Sequence, residues 1–441
     1  MTAPDLRPDE ISAAPPTVGD AGFLYHLIAY LVTPLFGLFL LWRGLRDRRY
    51  WQGFGERFGF ASRSTRPSIW LHAASVGEVQ AAVALVRELH ARFPTYALVV
   101  TTFTVTGRDH ARALFKDEVQ VQFLPFDLRG SARRFCDRIR PQFVVFFETE
   151  LWPNLYRECG RRQVPLVIAN ARLSPRSVTR YRKFHGIFER TLANARLIAA
   201  QSEADAERFR SLGAAPAVVR TVGNIKFDFV LKPDVVERGE RLRKIYAGAR
   251  PVWIAGSTHG GEEELILEAH RHVQVIHPTA LLILVPRHPD RASQIVALLN
   301  REGMQFARRS EDVTCRATTQ VLLVDTLGEL LDFYAASDIA FVGGSLVPIG
   351  GHNLLEPAAL GLPVLTGPHN SNGAAVAQML IERGGLEIVH SVSELASKVV
   401  QWLADSEERE RIGGLARMAV QDNRGSLARL VDLIRLEVYS L

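Results

Sequence analysis

Two series of short apolar runs determine what this 441-residue chain can fold into. Helix-like stretches separate the members of the first series, which are residues 68–75, 97–103, 142–150, 164–171 and 195–202. A second series follows, made of residues 251–257, 280–288, 319–326, 338–345 and 362–368. Runs that are apolar throughout, rather than at every second residue, are typical of parallel strands buried on both faces. We therefore expect an α/β protein with two Rossmann-like domains.

The chain is also too long for one ordinary hydrophobic core. Residues 229–249 are rich in charge and contain no apolar run, so we place the hinge between the domains there. The predicted organisation has five segments, which are a flexible tail over 1–22, a membrane anchor over 23–42, a first domain over 43–230, a second domain over 231–424 and a C-terminal helix over 425–441.

An apolar segment precedes the first domain. Residues 23–42 contain no Asp, Glu, Lys or Arg, and a segment of this length can cross the hydrocarbon core of a bilayer. Seven arginines follow the segment within residues 43–66, whereas Arg7 is the one basic residue before it, so the positive-inside rule places both domains in the cytoplasm. Pro34 and Gly37 disfavour a straight span, and a helix lying in the membrane interface remains the alternative.

Positive charge is concentrated beside this segment. The net charge is +6, and residues 43–66 contain seven arginines against two acidic residues. A basic cluster next to an apolar segment suits an anionic lipid surface, and the chain has no zinc-finger spacing or RNA-binding aromatic motif, so we expect no nucleic-acid partner. Three scattered cysteines indicate reduced, structural thiols.

The first polar junction follows the run at 68–75. Ser75 and Glu78 have the spacing of a capping box, in which the glutamate only completes the helix start. Gly77 is a poor residue for a first helical turn and favours close approach of a ligand to the backbone. A glutamate there could remove a proton from an attacking hydroxyl. The spacing leaves both interpretations open.

A second acidic junction follows the run at 142–150. Glu148 and Glu150 are two residues apart, and strand alternation predicts that they point to the same side. They could form an acid/base pair or bind a cation. Alternatively, they are helix-start charges favoured by the dipole before Trp152 and Pro153.

In the second domain, polar residues again follow apolar runs. Ser257, Thr258 and the glycines after them predict an anion-binding turn. His259 and Glu262 have a spacing seen in metal sites, but too few ligands accompany them, so we expect no metal. Arg287 offers bidentate contact to a phosphate or carboxylate, and an exposed surface loop is the alternative.

The glycine-rich stretch 343–357 is the most specific signal. Gly343 and Gly344 belong to a loop with more glycines than a simple turn needs. Asn353 and Glu356 have capping-box spacing, although a glutamate in that place could also bind ribose hydroxyls. Walker A and GxGxxG motifs are both missing from the sequence, which disfavours kinases and dehydrogenases.

Seven motifs in order closely resemble the Kdo transferases of Gram-negative bacteria, which join 3-deoxy-D-manno-octulosonic acid (Kdo) from CMP-Kdo to a lipid A precursor. The motifs are LHAASVGE, FFETELWPN, NARLS, GSTHGGEE, LVPRHP, DTLGELLDFY and FVGGSLVPIGGHNLLEPA. The resemblance runs from about residue 23 to the C-terminus. It implies the GT-B glycosyltransferase fold, an acceptor-binding first domain, a CMP-Kdo-binding second domain and a last helix that returns to the first domain. It also implies location on the cytoplasmic face of the inner membrane.

The resemblance also implies roles for single residues. Glu78 would be the general base for inverting transfer, and Glu150 would lie near the sugar. CMP contacts would fall on Ser257, Arg287, Gly328, Glu329, Asn353 and Glu356. Ser75, Gly77, Glu148, Thr258, His259, Gly343 and Gly344 complete the expected substrate-binding set. The family needs no dedicated metal or other cofactor.

Two features depart from the family pattern. About 20 residues precede the apolar segment, and Val105 stands where relatives usually have proline. Neither affects a proposed chemical group. The competing hypotheses are a UDP-sugar epimerase or transferase on the same fold, and a membrane-tethered nucleotide-sugar binding protein without catalysis.

Overall fold

The structure is a computed structural model that describes Asp20 and residues 22–229, 231 and 233–439. Apart from Asp20 and Gly22, the predicted tail over residues 1–22 lies outside the described residues. The chain forms two compact units. One consists of Met1–Asp228 together with Gly425–Leu441, and the other consists of Phe229–Arg424.

The first unit is built on one parallel sheet with the strand order β3-β2-β1-β4-β5-β6-β7. Its strands are β1 Ser68–His72, β2 Ala97–Thr102, β3 Gln120–Phe123, β4 Pro141–Phe147, β5 Leu166–Ala171, β6 Leu197–Ala200 and β7 Val219–Thr221. Its helices before the chain leaves the unit are α1 Phe23–Arg46, α2 Val76–Arg92, α3 Val105–Phe115, α4 Arg129–Ile139, α5 Pro153–Arg161, α6 Pro175–Arg182, α7 His185–Leu192 and α8 Glu203–Ser211.

The second unit is built on another parallel sheet, with the strand order β10-β11-β9-β8-β12-β13-β14. Its strands are β8 Val252–Thr258, β9 Leu281–Pro286, β10 Phe306–Arg308, β11 Val321–Leu323, β12 Ile339–Val342, β13 Val364–Thr366 and β14 Leu386–Ile388. Its helices are α9 Val235–Tyr246, α10 Glu263–Ile276, α11 Ala292–Arg301, α12 Leu330–Ala335, α13 Leu355–Leu360, α14 Ala374–Glu382, α15 Val392–Ala404 and α16 Ser406–Asp422. The chain then returns to the first unit as α17 Ser426–Tyr439.

Each sheet is covered on both faces, which confirms the expected class of two Rossmann-like domains. Apolar side chains of β1 and β4 alternate between two buried clusters, so that Trp70 packs on one face and Ile69 and Leu71 pack on the other. Leu430, Val431 and Ile434 of α17 belong to the second of these clusters and are fully buried. The last helix is therefore part of the core of the first unit.

The four strands that apolar runs do not predict all lie at sheet edges. These are β3, β7, β10 and β14, with the sequences QVQF, VRT, FAR and LEI. An edge strand has fewer neighbours and keeps polar residues, so it lacks the continuous apolar pattern. The charged stretch at 229–249 likewise contains α9 rather than only a linker.

The chain reverses direction along each sheet beside its first strand. In the first unit β1 pairs with both β2 and β4, and in the second β8 pairs with both β9 and β12. Ligands of open α/β sheets bind beyond the carboxyl ends of strands at such topological switch points. Residues after β1 and β4, and residues after β8 and β12, are therefore the places to look for function.

Helix α1 packs along its whole length on the first unit. Its 24 residues correspond to about 36 Å. One stripe contacts the unit, with Gly37, Leu40 and Gly44 buried and the Tyr25 hydroxyl donating to Asp127 at 2.5 Å. The opposite face exposes large apolar side chains, including Phe23, Leu24, Leu27, Ile28, Leu31, Leu35, Leu38, Trp42 and Leu45. Among the described residues, α1 is the one helix long and apolar enough to cross a membrane.

Candidate active site

Three glutamates meet at the switch point of the first unit. Glu78 lies in the first turn of α2, which follows β1, and Glu148 and Glu150 follow β4. β1 and β4 are adjacent, so the carboxyl ends of both strands deliver acidic side chains to one place. All three glutamates are half-buried.

Glu78 makes the contacts of a capping residue. Its backbone N–H donates to the Ser75 hydroxyl at 3.4 Å, and its carboxylate accepts from the Ala74 N–H at 2.8 Å and from the Ser75 hydroxyl at 3.1 Å. The capping alternative therefore describes the local geometry correctly. It leaves further lone pairs of the carboxylate available, since each oxygen accepts one of these bonds.

Space above the first turn of α2 is open. A side chain at Gly77 would meet only the Ser75 hydroxyl, at 4.0 Å, and Gly77 is exposed. Because Gly77 has no positive φ, backbone strain does not explain the glycine. The open space is what close approach of a ligand would require.

The environment of Glu78 disfavours its charged form. Burial raises the pKa of the Glu78 carboxyl, and the nearby charges of Glu150 and Glu148 raise this pKa further. The Ala74 N–H and His72 oppose the shift. A carboxylate with a raised pKa is a stronger base, which suits proton removal.

Glu148 is held by a cation. Its carboxylate lies 3.0 Å from the Lys226 ammonium, and its φ of +60° places it in the left-handed region. β4 ends at Phe147, so strand alternation does not extend to the glutamates, although both lie close enough to Glu78 to raise its pKa. The left-handed residue turns the chain instead.

Glu150 contacts two ring nitrogens. The Trp152 indole donates to its carboxylate at 2.9 Å, and His72 Nε2 lies 3.4 Å away. His72 is fully buried, and its Nδ1 lies 3.0 Å from both the carbonyl oxygen and the hydroxyl of Thr101.

Sequence reasoning missed His72, Lys226 and Trp152 as partners of the acidic residues. His72 and Trp152 lie inside motifs that were noted for other residues. Lys226 lies 78 residues after Glu148 in a short 3₁₀ helix, and no local pattern identifies it. The strand-end rule could have drawn attention to it, because residues 222–226 follow β7.

In the second unit, Ser257 and Arg287 present polar groups at the switch point. Ser257 has a φ of +58° at the end of β8, and the Arg287 N–H donates to the Thr258 carbonyl at 3.0 Å. The Arg287 side chain is exposed and makes no hydrogen bond or ion pair within the described part of the chain. This guanidinium is therefore available to an anion.

Thr258 has a structural contact. Its hydroxyl donates to Glu263 at 3.1 Å, and Glu263 is in turn paired with Arg291 at 2.8 Å. Thr258 and Glu263 are both buried. The expected role of the Thr258 hydroxyl in substrate binding is not supported by this geometry.

The glycine loop is already occupied by a carboxylate of the same unit. Fully buried Glu262 accepts the N–H groups of Gly344 at 2.7 Å, Leu346 at 2.9 Å and Ser345 at 3.1 Å. The Gly343 N–H donates to the Gly256 carbonyl. Gly343 and Gly344 belong to the expected substrate-binding set, but their N–H groups are bonded within the unit and are not free to bind a substrate.

The glycines serve close packing instead. A side chain at Gly343 would come within 2.7 Å of the Glu262 carboxylate, and one at Gly344 would come within 2.9 Å of the His352 ring. Gly344 also has a φ of +69°. Glycine at these positions lets the loop wrap around the buried Glu262.

Two histidines stack beside this loop. The rings of His259 and His352 are nearly parallel, and their Nε2 atoms lie 2.8 Å apart, so one ring donates and the other accepts. Burial and the neighbouring His259 lower the pKa of His352 to about 4. Burial and His288 also lower the pKa of His259. Both imidazoles are therefore neutral at pH 7.

The remaining residues that the resemblance assigns to CMP binding differ in what they contact. The Asn353 amide oxygen accepts from the Leu355 N–H at 3.1 Å, so the predicted capping box with Glu356 does not form. Burial raises the pKa of Glu356, whereas Asn353 and Arg287 oppose this shift. Gly328 is exposed with a φ of +86°. Glu329 accepts from Arg309 at 2.9 Å.

Within the described ranges, no group of three or more His, Cys, Asp or Glu side chains could hold a metal ion. The acidic site is thus a set of carboxylates with a lysine and a histidine. Such a set can remove a proton and stabilise a positive charge that develops during a reaction.

Comparison with known proteins identifies relatives along most of the chain. Residues 52–229 match the family model described as 3-deoxy-D-manno-octulosonic-acid transferase (kdotransferase). A 3-deoxy-D-manno-octulosonic acid transferase of Haemophilus influenzae is 42% identical over 417 residues, which is 94% of this chain and 98% of that protein. The corresponding protein of Bordetella pertussis is 33% identical, with coverage of 93% and 98%.

A solved structure shares the architecture at low identity. It is a putative UDP-N-acetylglucosamine 2-epimerase from Listeria monocytogenes, with a TM-score of 0.55 and 14% identity over 84% of this chain and 96% of that one. This likeness concerns the fold alone.

Proposed function

Because this chain belongs to the 3-deoxy-D-manno-octulosonic acid (Kdo) transferase family of lipopolysaccharide synthesis, we propose that it transfers Kdo from CMP-Kdo to the lipid A precursor lipid IVA. Transfer inverts the configuration at the anomeric carbon of Kdo. One observation carries this proposal: Glu78, a glutamate with a raised pKa, lies at the switch point beside two further carboxylates.

In the proposed reaction, the Glu78 carboxylate takes the proton of a glucosamine hydroxyl on the acceptor. The hydroxyl oxygen forms a bond to the anomeric carbon, and the bond from that carbon to the CMP phosphate breaks. CMP leaves with the bonding electron pair, and the proton remains on Glu78 until it passes to solvent. The raised pKa brings Glu78 closer to the optimum for a base at neutral pH.

Glu150 and Lys226 support the same step. Positive charge grows at the anomeric carbon as CMP departs, and Glu150, which the Trp152 indole N–H holds in place, stabilises it electrostatically. Kdo is itself an acid and would be repelled by three uncompensated carboxylates. The Lys226 ammonium beside Glu148 reduces that repulsion.

Donor binding is proposed for the second unit. The exposed Arg287 guanidinium binds the phosphate and stabilises its charge as CMP leaves. Ser257 and His259 line the same turn, and Asn353 and Glu356 supply acceptors for ribose hydroxyls. Gly328 and Glu329 precede α12 and contact the nucleotide through the backbone.

The acceptor and the membrane are proposed to meet the first unit. A helix whose one face is packed along its length on a folded domain fits the interface better than a span, so the exposed face of α1 lies in the inner membrane, on the cytoplasmic side. Arg176, Arg180 and Arg182 on α6 are exposed. They provide cations for the phosphates of the acceptor.

A mass-spectrometric assay with CMP-Kdo and a tetraacyl lipid A precursor tests the proposal. The protein should add one or more Kdo units, and Glu78→Gln should lower the rate by about 10²–10⁴-fold. Binding of CMP, measured by calorimetry, should be unchanged in Glu78→Gln, because Glu78 belongs to the other unit.

The chain offers a matched control for the capping alternative. Glu394 of α15 has the same local geometry, since its N–H donates to the Ser391 hydroxyl at 3.1 Å and its carboxylate accepts the His390 N–H at 2.8 Å. Glu394→Gln should keep full activity. Equal rates for the Glu78→Gln and Glu394→Gln proteins would show that Glu78 only caps its helix.

A further inference from the structure

We propose that Phe103 is a positioning residue that ties the apolar helix α1 to both Glu78 and Glu150, so that α1 builds the active site as well as holding the protein at the membrane. This inference rests on the proposed function, because it assumes that the two glutamates act on the substrates. Phe103 directly follows β2 and is half-buried.

The first connection runs through aromatic rings. Phe36 of α1 stacks on Phe103 with ring centroids 5.9 Å apart and planes within 17°. Phe103 in turn packs on the Trp152 indole at 5.5 Å. The indole N–H donates to the Glu150 carboxylate at 2.9 Å. The position of Phe36 therefore sets where the donor to Glu150 lies.

The second connection runs through the backbone. The N–H groups of Phe103 and Thr104 donate to the Ala74 carbonyl at 3.0 and 3.1 Å. The Ala74 N–H donates to the Glu78 carboxylate at 2.8 Å. Ala74 is thus held through its carbonyl by Phe103 and through its N–H by Glu78. A shift of the loop at Phe103 therefore moves the Ala74 N–H, which donates to the proposed base.

The segment that follows α1 fixes Phe103 from a third side. Arg57 is buried, its Nη2 donates to the Phe103 carbonyl at 3.0 Å, and its guanidinium lies 3.8 Å from the Phe123 ring centroid. Two other nitrogens of Arg57 have no hydrogen-bond partner among the described residues. The guanidinium is therefore committed to Phe103 and to ring stacking rather than to an ion pair.

Helix α1 has an independent contact near the same site. The Tyr25 hydroxyl donates to buried Asp127, and the Asp127 carboxylate accepts the N–H groups of Asn154 and Leu155 at 3.0 and 2.9 Å. These N–H groups belong to the start of α5, directly after Trp152. Two separate parts of α1 therefore hold the segment that carries Glu150.

A water-soluble acceptor separates positioning from tethering. The assay uses CMP-Kdo and a deacylated lipid A disaccharide bisphosphate, with the full-length protein in detergent micelles. If α1 only tethers the protein to the membrane, Phe36→Leu cannot affect this reaction. If α1 positions the site, Phe36→Leu should lower kcat about tenfold with little change in KM, because small displacements of catalytic groups are costly.

The pH profile provides a second readout. If Phe36→Leu loosens the loop at Phe103, the hydrogen bond from the Ala74 N–H to Glu78 weakens. This bond favours ionised Glu78, so its loss raises the pKa of Glu78. The acidic limb of the plot of kcat against pH should therefore move to higher pH. The other titratable groups facing Glu78 are Glu148, Glu150 and His72, with Lys226 paired to Glu148, and Phe36→Leu substitutes none of them. A variant that merely folds less well would have a lower kcat at every pH, but its acidic limb would stay at the same pH.

Three further variants complete the test. Phe103→Leu, checked for folding by its thermal transition, should reproduce both effects of Phe36→Leu. Phe60→Leu makes the same chemical change at a phenylalanine 55% exposed elsewhere in the unit and should leave both readouts unchanged. Wild-type kcat and an unshifted limb in Phe36→Leu and in folded Phe103→Leu would overturn the inference. High activity in Glu78→Gln would instead contradict the proposed base.

Discussion

At the scale of single residues, the charges around Glu78 set the pH range of the proposed reaction. A base acts only when it is deprotonated, so activity is lost as the pH falls through the pKa of Glu78 in the folded protein. Burial and the carboxylates of Glu150 and Glu148 raise this pKa. The acidic limb of the rate profile should therefore lie above the range usual for a glutamate.

Glu148→Gln should move this limb to lower pH. The change removes a negative neighbour of Glu78 and leaves the Lys226 ammonium unpaired, and both effects favour ionised Glu78. The measurement is kcat against pH with CMP-Kdo in excess. Glu88→Gln, which removes an exposed carboxylate from the same helix, is the control and should leave the limb in place. A shift toward higher pH would contradict the assigned electrostatics.

The sequence identifies residues of the site better than their contacts. Glu78, Glu148 and Glu150 could be placed at one switch point because strand ends of neighbouring strands converge. The partner of Glu148 could not be predicted in this way, since Lys226 is brought there by tertiary folding alone. The contacts of the glycine loop could not be predicted for a related reason. Its N–H groups suit an anion, but the anion is Glu262, 82 residues away from Gly344.

At the scale of elements, α1 combines a packed stripe with an exposed apolar face. Removing apolar surface from the exposed face should weaken membrane binding with little effect on the unit, because those side chains are largely exposed. The same face carries large side chains along the whole helix, as expected of a helix lying in the interface.

Leu31→Ser should weaken binding to vesicles about tenfold, because it removes one leucine side chain, 63% exposed, from the membrane-facing surface. Sedimentation with vesicles containing phosphatidylglycerol measures the effect. Met418→Ser changes a similarly exposed apolar side chain on α16 and should have no effect. Equal binding by both variants would exclude this face of α1 as the membrane contact.

Apolar runs predict the central strands well and the edge strands not at all. Strands such as β1 and β4 are buried on both faces and read as continuous apolar sequence. The edge strands are three or four residues long and include glutamine, arginine or glutamate. Their pairing is decided by backbone hydrogen bonds to a neighbour, which leave no signature in the side chains.

At the scale of the whole molecule, the first unit is discontinuous in sequence. α17 completes its core, with Ile434 fully buried next to Leu430 and Val431. Ile434→Ala should destabilise the first unit by about 2–4 kcal/mol through the cavity it creates. Hydrogen exchange followed by mass spectrometry should show faster exchange in residues 68–221 and unchanged exchange in residues 252–422.

Leu436→Ala provides the comparison, because Leu436 lies on the same helix and is 48% exposed. It should leave exchange in both units unchanged. Faster exchange confined to residues 252–422 in the Ile434→Ala protein would mean that α17 stabilises the second unit instead.

The return of the chain to the first unit as α17 has a consequence for biosynthesis. The ribosome makes α1 before any strand, and makes α17 only after the whole of the second unit. The contiguous second unit can fold during translation, whereas the core of the first unit stays open until α17 emerges. For most of its synthesis, the nascent chain therefore exposes an apolar helix and an incomplete core together, which makes it a substrate for chaperones or for early membrane contact.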